Sequence, residues 1–159
     1  MDTSAVRRVT HPTRDVYVIR TMGGDRIFDS FGQDTNTYCD CFISSEALPK
    51  AVIEEAEVLV MGTLGLAYSD TSKAMQAAMS TAKEARTLVM IDCNWRPVFW
   101  DDPDSALDSI RPFLEQGDLV KITDEEAEWA FGIPTAVALE EPDRVCTYIS
   151  DWQIPCMHL

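Results

Sequence analysis

Three short apolar runs, at residues 58–61, 88–91 and 119–122, limit what this chain can fold into. Each run is followed by a segment with apolar residues at helical spacing, so strands alternate with helices. Neighbouring parallel strands need crossover connections of about a dozen residues or more, and the segments between these runs are long enough. Such crossovers are right-handed. The alternation therefore predicts an α/β fold with a partial doubly wound, Rossmann-like parallel sheet.

A different pattern precedes the sheet. Residues 16–31 alternate apolar and polar side chains around Gly23-Gly24-Asp25, which predicts a β-hairpin because the glycines accept positive φ angles. From Trp152 onward the chain is apolar without a clear period. The predicted organisation has three parts: a hairpin region at 1–47, a partial α/β core at 48–142 and an atypical tail at 143–159.

Local signals mark further elements. Residues 40–43 are expected to add a short strand. Ser69-Asp70-Thr71 offers a side-chain cap to the helix that begins there. Pro103 is expected in the first turn of the next helix, and Pro112 is expected to break or kink that helix.

A polar cluster stands where the second buried strand should end. Asp92, Asn94 and Arg96 occupy alternate positions there. In open α/β sheets, ligands bind beyond the carboxyl ends of the strands, so these three groups can converge on a polyol or a phosphate. The alternative is a turn in which Asp and Asn bond their own backbone and Arg pairs with Asp.

Thr123-x-x-Glu126 also has two interpretations, after the third strand. It fits a capping box, in which the Thr hydroxyl accepts an amide hydrogen bond and the Glu reaches back to the helix start. It also fits a metal-linked site, and both can hold at once. The sequence leaves the two interpretations open.

Charge and hydropathy exclude several classes of partner. The chain has 159 residues, with 27 acidic and 13 basic side chains and a net charge of -14. This charge repels nucleic-acid phosphates and anionic membranes. The apolar stretches fall short of the ~20 residues that span a bilayer, and no signal-peptide core follows Met1. We therefore expect a soluble protein that binds neither nucleic acid nor membrane.

The cysteines indicate a reducing compartment. Their odd number, five, and irregular spacing do not fit a disulfide framework. Cys39-x-Cys41 lacks the further ligands of a structural zinc site, because His11 and His158 stand near opposite ends of the chain. The expected location is intracellular, in the cytoplasm, with a plastid as the alternative.

These residues together resemble the PfkB/ribokinase family of carbohydrate kinases, and fructokinase-like members in particular. The resemblance covers most of the chain. It is carried by Asp2-Thr3-Ser4-Ala5-Val6 with Pro12-Thr13, by the hairpin with Gly-Asp-Arg at 24–26, by Asp92-x-Asn94-x-Arg96 with Trp100, and by the segment 121–126. The last segment resembles the family's N-x-x-E region, with Thr123 in place of the Asn.

The resemblance implies ATP-dependent phosphoryl transfer to a sugar hydroxyl, with the hairpin closing as a lid and magnesium neutralising the nucleotide phosphates. By the same resemblance, Asn94 and Arg96 face the sugar and the transferred phosphoryl group, and Asp92 orients them. Thr123 and Glu126 belong to the nucleotide and magnesium side. Glu126 acts through metal-bound waters, because magnesium keeps several waters and takes few carboxylates.

Two family features are absent from the sequence. The family has glycine-rich sugar-binding strands before the lid, and a G-A-G-D motif whose Asp takes the hydroxyl proton. Neither is present here, so a general base cannot be assigned. We expect a chain that begins inside the family domain, stops before its nucleotide half and is inactive alone.

Two alternatives remain beside a truncated sugar kinase. The first is a non-catalytic interaction module that forms homo- or heterodimers through its lid, with a full-length kinase as partner. The second is an incomplete gene model or splice product, which the apolar tail after Trp152 favours.

Overall fold

The predicted hairpin is present near the start of the chain. The computed structural model describes residues 2–141, so the tail predicted at 143–159 lies outside the described residues. β1 (Tyr17–Arg20) and β2 (Arg26–Ser30) pair antiparallel. Gly24, in the turn between them, has a φ of 93°, which favours glycine because it has no Cβ.

Three further strands form the predicted parallel sheet. They are β3 (Val58–Gly62), β4 (Leu88–Asp92) and β5 (Leu119–Lys121), in the spatial order β3-β4-β5. The described residues also form α-helices: α1 (Lys50–Glu55), α2 (Ser69–Ala85), α3 (Ala106–Leu114), α4 (Asp124–Phe131) and α5 (Thr135–Glu140). The predicted α/β class, with a parallel sheet and a preceding hairpin, is confirmed.

One face of the sheet carries the core. Val89 and Ile91 of β4 are fully buried and belong to one cluster with Met79 of α2 and with Ile110 and Phe113 of α3. Strands in sequential order place successive right-handed crossovers on the same face. The helices α2 and α3 therefore cover this face together, and burial of their apolar side chains is the main stabilising contribution.

The opposite face of the sheet is exposed within the described residues. Val58, Val60 and Leu88 alternate with the covered positions, and Val60 is 63% exposed. Parallel sheets in α/β proteins have helices on both faces. Within residues 2–141, helices thus cover one face of the sheet, whereas a doubly wound sheet has helices on both faces.

The short strand predicted at residues 40–43 is wrong. A 3-10 helix, Cys39–Cys41, occupies this segment. The hydroxyl of Thr71 on α2 donates to the carbonyl oxygen of Asp40 at 2.7 Å and accepts the N–H of Ile43 at 3.2 Å. These backbone groups are therefore engaged by a helix and cannot join a strand ladder.

Two helix predictions also need correction. α2 has Tyr68 at its N-cap position and no side-chain cap, because the predicted capping residues 69–71 lie inside the helix. Pro112 does not break α3, which continues to Leu114. A proline removes one backbone hydrogen bond, and the buried Phe113 and Leu114 hold the last turn against the core. Pro103 lies in a 3-10 turn, Pro103–Ser105, that leads into α3.

Candidate functional site

A cleft of about 470 Å³ opens between the hairpin and the loop that follows β4. The hairpin supplies Arg26 and Phe28, and the loop supplies Trp95 and Arg96. The remaining lining residues come from both sides and from the start of α4: Phe31, Pro97, Val98, Thr123, Glu125 and Glu126. The cleft therefore lies beyond the carboxyl ends of the parallel strands, where ligands bind in such folds.

Glu126 is the most buried charged group of this cleft, with 3% of its surface exposed. Its Oε2 accepts the N–H of Thr123 at 2.9 Å, and its own N–H donates to the Thr123 hydroxyl at 3.2 Å. The capping box predicted from the sequence is confirmed. The Glu126 Oε1 accepts a second backbone N–H, from Trp95, at 2.9 Å. The two carboxylate oxygens thus accept backbone hydrogens from two different segments.

The loop after β4 turns sharply at Asn94, whose φ is 42°. Asparagine tolerates this left-handed conformation better than most side chains do. The turn brings Trp95 onto α4, where its ring stacks on that of Trp129 with centroids 4.0 Å apart and an interplanar angle of 8°. Stacking and the Glu126 hydrogen bond together fix the backbone that leads into Arg96.

Arg96 extends from this loop into the cleft. Its Nη1 donates to the carbonyl oxygen of Trp95 at 2.7 Å and lies 3.8 Å from Oε1 of Glu126. Its Cζ is 5.5 Å from the ring centroid of Phe28, a cation–π distance. Arg96 therefore contacts the hairpin through Phe28 and the first turn of α4 through Glu126.

The structure brings together only part of the predicted site. Arg96, Thr123 and Glu126 all line the cleft. Asp92 and Asn94 lie outside the lining of this cleft, and the Asp92 carboxylate accepts a hydrogen bond from Lys121 Nζ at 3.0 Å. The register pairs Asp92 with Lys121, so this contact joins the ends of β4 and β5.

Cys93 lies beneath the loop and is fully buried. Burial, with a further contribution from the Glu126 carboxylate, raises the pKa of its thiol to about 12. The hydroxyl of Thr63, also buried, donates to the Cys93 carbonyl oxygen. Cys93 therefore packs as a neutral thiol and is unsuited to act as a nucleophile.

Sequence reasoning missed Arg14, which organises the base of the hairpin. Its guanidinium donates to Asp40 Oδ2 at 2.7 Å, to the Thr35 carbonyl oxygen at 2.9 Å and to the Tyr68 hydroxyl at 3.2 Å. It also lies 4.7 Å from the ring centroid of Phe99. These partners are far apart along the chain, so no local pattern could have revealed the cluster.

The described residues do not form a direct magnesium site. Within residues 2–141, no three His, Cys, Asp or Glu side chains are grouped as metal ligands. The two carboxylate oxygens of Glu126 each accept one backbone hydrogen, from Trp95 and from Thr123. Because Glu126 is also buried, with 3% of its surface exposed, this carboxylate is poorly placed to bind an ion directly. In the same part of the chain, no helix is long and apolar enough to cross a membrane.

Known proteins share this fold. A probable fructokinase-5 of Arabidopsis thaliana is 30% identical over 110 residues, which are 69% of this chain and 33% of that protein. A Xylella fastidiosa fructokinase structure with bound ATP has a TM-score of 0.67 at 22% identity, covering 94% of this chain and 45% of that one. A Vibrio cholerae fructokinase structure with fructose, ADP and a calcium ion has a TM-score of 0.71 at 22% identity, covering 93% and 44%.

Fold and cleft together define an α/β protein with a parallel sheet and a cleft at the carboxyl ends of its strands, beneath a hairpin. The family model described as pfkB family carbohydrate kinase matches residues 1–148. The chain belongs to this family, and its relatives among the fructokinases confirm the resemblance drawn from the sequence. It spans about a third of the length of the curated relative above and under half of each solved kinase.

Proposed function

We propose that the chain forms one wall of the active site of an ATP-dependent sugar kinase. The observation that carries the proposal is the meeting of Arg96, Thr123 and Glu126 at one cleft, under Phe28 of the hairpin. Family membership supports a carbohydrate as the substrate, and the fructose in the Vibrio cholerae structure supports a small sugar.

The sugar and transferred-phosphoryl side is assigned to Asp92, Asn94 and Arg96. Arg96 offers a partly exposed guanidinium, which suits a phosphoryl oxygen. Asn94 shapes the turn through its left-handed backbone, and its amide is assigned to the sugar although the residue lies outside the lining of this cleft. Asp92 orients the pair indirectly, by fixing the end of β4 through Lys121.

The nucleotide side is assigned to Thr123 and Glu126, with ATP as the phosphoryl donor. ATP in the Xylella fastidiosa structure supports this donor. Magnesium supplies neutralisation of nucleotide phosphate charge when it is bound. Glu126 is buried and both of its carboxylate oxygens accept backbone hydrogens, so it would act on such an ion through bound water.

We further infer that the 159-residue chain does not phosphorylate sugars by itself. Its sequence has no Gly-Ala-Gly-Asp motif, so the group that would take the hydroxyl proton is not assigned. General acid–base catalysis contributes about 10²–10⁴-fold to a rate. We therefore expect no turnover by the isolated chain.

Titration of D-fructose into the purified chain tests the proposal without requiring turnover. We expect saturable binding that Arg96→Met abolishes and that Lys50→Met leaves unchanged. Lys50 is an exposed residue of α1 and serves as a control for the loss of one positive charge. Absence of saturable binding, or equal binding by Arg96→Met, would reject the proposal. Sugar-dependent ADP release would reject only the inference of inactivity.

A second candidate is an interaction module that pairs through the hairpin. Ile19 and Ile27, opposite each other on the strands, are 53% and 56% exposed. An exposed apolar hairpin with free strand edges favours association with another chain. Light scattering of the chain, alone and mixed with a full-length fructokinase, tests whether this complex forms. We expect a complex that Ile27→Lys weakens and Val52→Lys, on α1, does not; a chain that stays monomeric in both samples would exclude the module.

A further inference from the structure

Arg14 holds the two ends of the hairpin together. It lies shortly before β1, and its Nη1 donates to the carbonyl oxygen of Phe31, which directly follows β2, at 3.5 Å. Its Nη2 donates to the carbonyl oxygen of Thr35 at 2.9 Å. The Arg14 side chain is 11% exposed, so these hydrogen bonds are largely shielded from water. One guanidinium group therefore closes the base of the hairpin.

The same guanidinium group contacts the loop that carries Arg96. The Cζ of Arg14 lies 4.7 Å from the ring centroid of Phe99, which is buried. Phe99 ends a 3-10 helix, Pro97–Phe99, that begins directly after Arg96. The N–H of Phe99 donates to the carbonyl oxygen of Arg96 at 3.3 Å, so one turn holds both residues. The base of the hairpin is thus packed against the turn that carries Arg96.

A row of aromatic rings connects this base to the cleft. The rings of Phe99 and Phe31 meet edge to face with centroids 5.0 Å apart, and the ring of Phe31 stacks on that of Phe28 at 5.8 Å. The Phe28 centroid lies 5.5 Å from the Cζ of Arg96. These separations are typical of favourable aromatic and cation–π contacts. The three rings therefore form a continuous row from Arg14 to Arg96.

The strands of the hairpin contribute little to its placement. Every residue of β1 is exposed, and so are the first four residues of β2. A two-stranded hairpin is marginally stable by itself, and exposed strands bury too little apolar surface to fix it over the sheet. The position of the hairpin over the cleft therefore depends on the contacts at its base and on the row of rings.

We propose that Arg14 is a positioning residue of the cleft, which sets the separation between Phe28 of the hairpin and Arg96 of the loop. Arg14 lies outside the lining of the cleft, so it acts through Phe99 and Phe31 and not by contact with a ligand. This inference rests on the proposed function for the ligand of the cleft, but the geometry that it describes exists without a ligand.

NMR of the 159-residue chain without a ligand tests this geometry. The Arg96 Nε–H signal depends on the ring current of Phe28, and nuclear Overhauser effects between the two side chains report their separation. We expect Arg14→Met and Phe31→Leu each to weaken these effects and to shift the Arg96 signal in the same direction. The double variant should add little, because both substitutions interrupt one row. Arg14→Lys should restore only part of the change, since lysine lacks the planar group that stacks on Phe99.

Met79→Ala is the matched control for lost stability. Met79 is fully buried in the core beneath the sheet, so its truncation opens a cavity and destabilises the fold without touching the row of rings. At a temperature where the variants are folded, Met79→Ala should keep the Arg96 signal of the unmodified chain. If Arg14→Met does not fold, Arg14→Lys and Phe31→Leu decide by the same signals. An unchanged Arg96 signal in the folded variants, or an equal change in Met79→Ala, would overturn the inference.

Titration of D-fructose separates this inference from the proposed function. We expect Arg14→Met to weaken binding about 2- to 30-fold, the range for residues that act at a distance, and Met79→Ala to bind as the unmodified chain does. Saturable binding that Arg14→Met leaves unchanged would overturn the positioning role even though the sugar site stands. Absence of binding by the unmodified chain would reject the sugar site, and the Arg96 signal would still decide the role of Arg14.

Discussion

Glu126 and Trp95 are joined by a hydrogen bond of 2.9 Å, from the N–H of Trp95 to the Glu126 Oε1. The same carboxylate caps α4 through the N–H of Thr123. A buried carboxylate that accepts hydrogens from two segments fixes their relative position. The helix cap therefore also positions the turn that carries Arg96.

Because Glu126 bonds two segments, its substitution should lower the stability of the fold. Glu126→Gln keeps one acceptor oxygen but replaces the other with a donor, which cannot accept the second backbone N–H. We expect the free energy of unfolding to fall by about 1–3 kcal/mol, the range for a buried group left unsatisfied. Urea denaturation measures the change.

Glu125→Gln is the matched control for this substitution, since Glu125 is exposed and precedes Glu126 on the same helix. It should change stability by no more than about 0.5 kcal/mol. Equal stability of Glu126→Gln and Glu125→Gln would show that the hydrogen bonds from Trp95 and Thr123 to the Glu126 carboxylate do not stabilise the fold.

Substitution of Arg14 should also lower the stability of the fold. Arg14→Met removes hydrogen bonds to Asp40, Thr35 and Tyr68, and we expect a loss of roughly 2–4 kcal/mol in unfolding free energy. Arg14→Lys retains the charge but not the planar fork, so it should recover only part of this loss. Arg8→Met, at an exposed position, should be neutral by the same denaturation measurement; a neutral Arg14→Met would contradict the assignment.

Asp118 should make stability depend on pH. Partial burial raises its pKa, but hydrogen bonds from Lys83 and from the N–H of Val89 outweigh this effect, so the pKa lies below the usual 3.8. A lowered pKa in the folded state contributes stability above the unfolded pKa of about 3.9, and the contribution disappears as the pH falls through the folded pKa.

Denaturation of the unmodified chain and of Asp118→Asn between pH 3 and pH 6 isolates this contribution. The stability difference should be largest near pH 6 and should shrink toward pH 3. Because Lys83 and Asp118 are both about two-fifths exposed, solvent screening limits its size. A difference that stays constant over this range would contradict the linkage.

Cysteine labelling distinguishes the thiols of the described residues. Cys93 is buried and its pKa is about 12, so almost no thiolate exists at pH 8, whereas Cys39 is partly exposed. Native-state labelling with iodoacetamide, followed by peptide mass spectrometry, should modify Cys39 well before Cys93. Denaturant should remove the difference, and equal native rates would show that Cys93 is accessible.

The sequence predicted the elements whose signals are local. Alternation around Gly23-Gly24-Asp25 located the hairpin, the apolar runs located β3, β4 and β5, and Thr123-x-x-Glu126 located the cap of α4. Each of these features depends on residues within a few positions of one another. The strand ends also indicated the cleft, because the carboxyl ends of parallel strands share one edge.

Long-range contacts determine the features of the fold and the site that could not be predicted from the sequence. Thr71 bonds the backbone near Asp40, across 31 positions, and converts an expected strand into a 3-10 turn. The Arg14 cluster joins positions up to 54 apart. Trp95 receives its partner, Glu126, from the next strand–helix unit. Such pairings depend on the packed fold, and no local periodicity encodes them.

Asn94 allows its backbone and side-chain roles to be separated. Its φ of 42° is left-handed, so Asn94→Gly keeps or slightly raises stability, whereas Asn94→Ala costs about 1 kcal/mol. If the Asn94 amide contacts the sugar, as proposed, both variants lose D-fructose affinity although only Asn94→Ala loses stability. Calorimetric titration and urea denaturation of both variants measure the two effects. Unchanged affinity in Asn94→Gly would leave Asn94 with a backbone role only, and Arg96 as the side chain of this turn that meets the ligand.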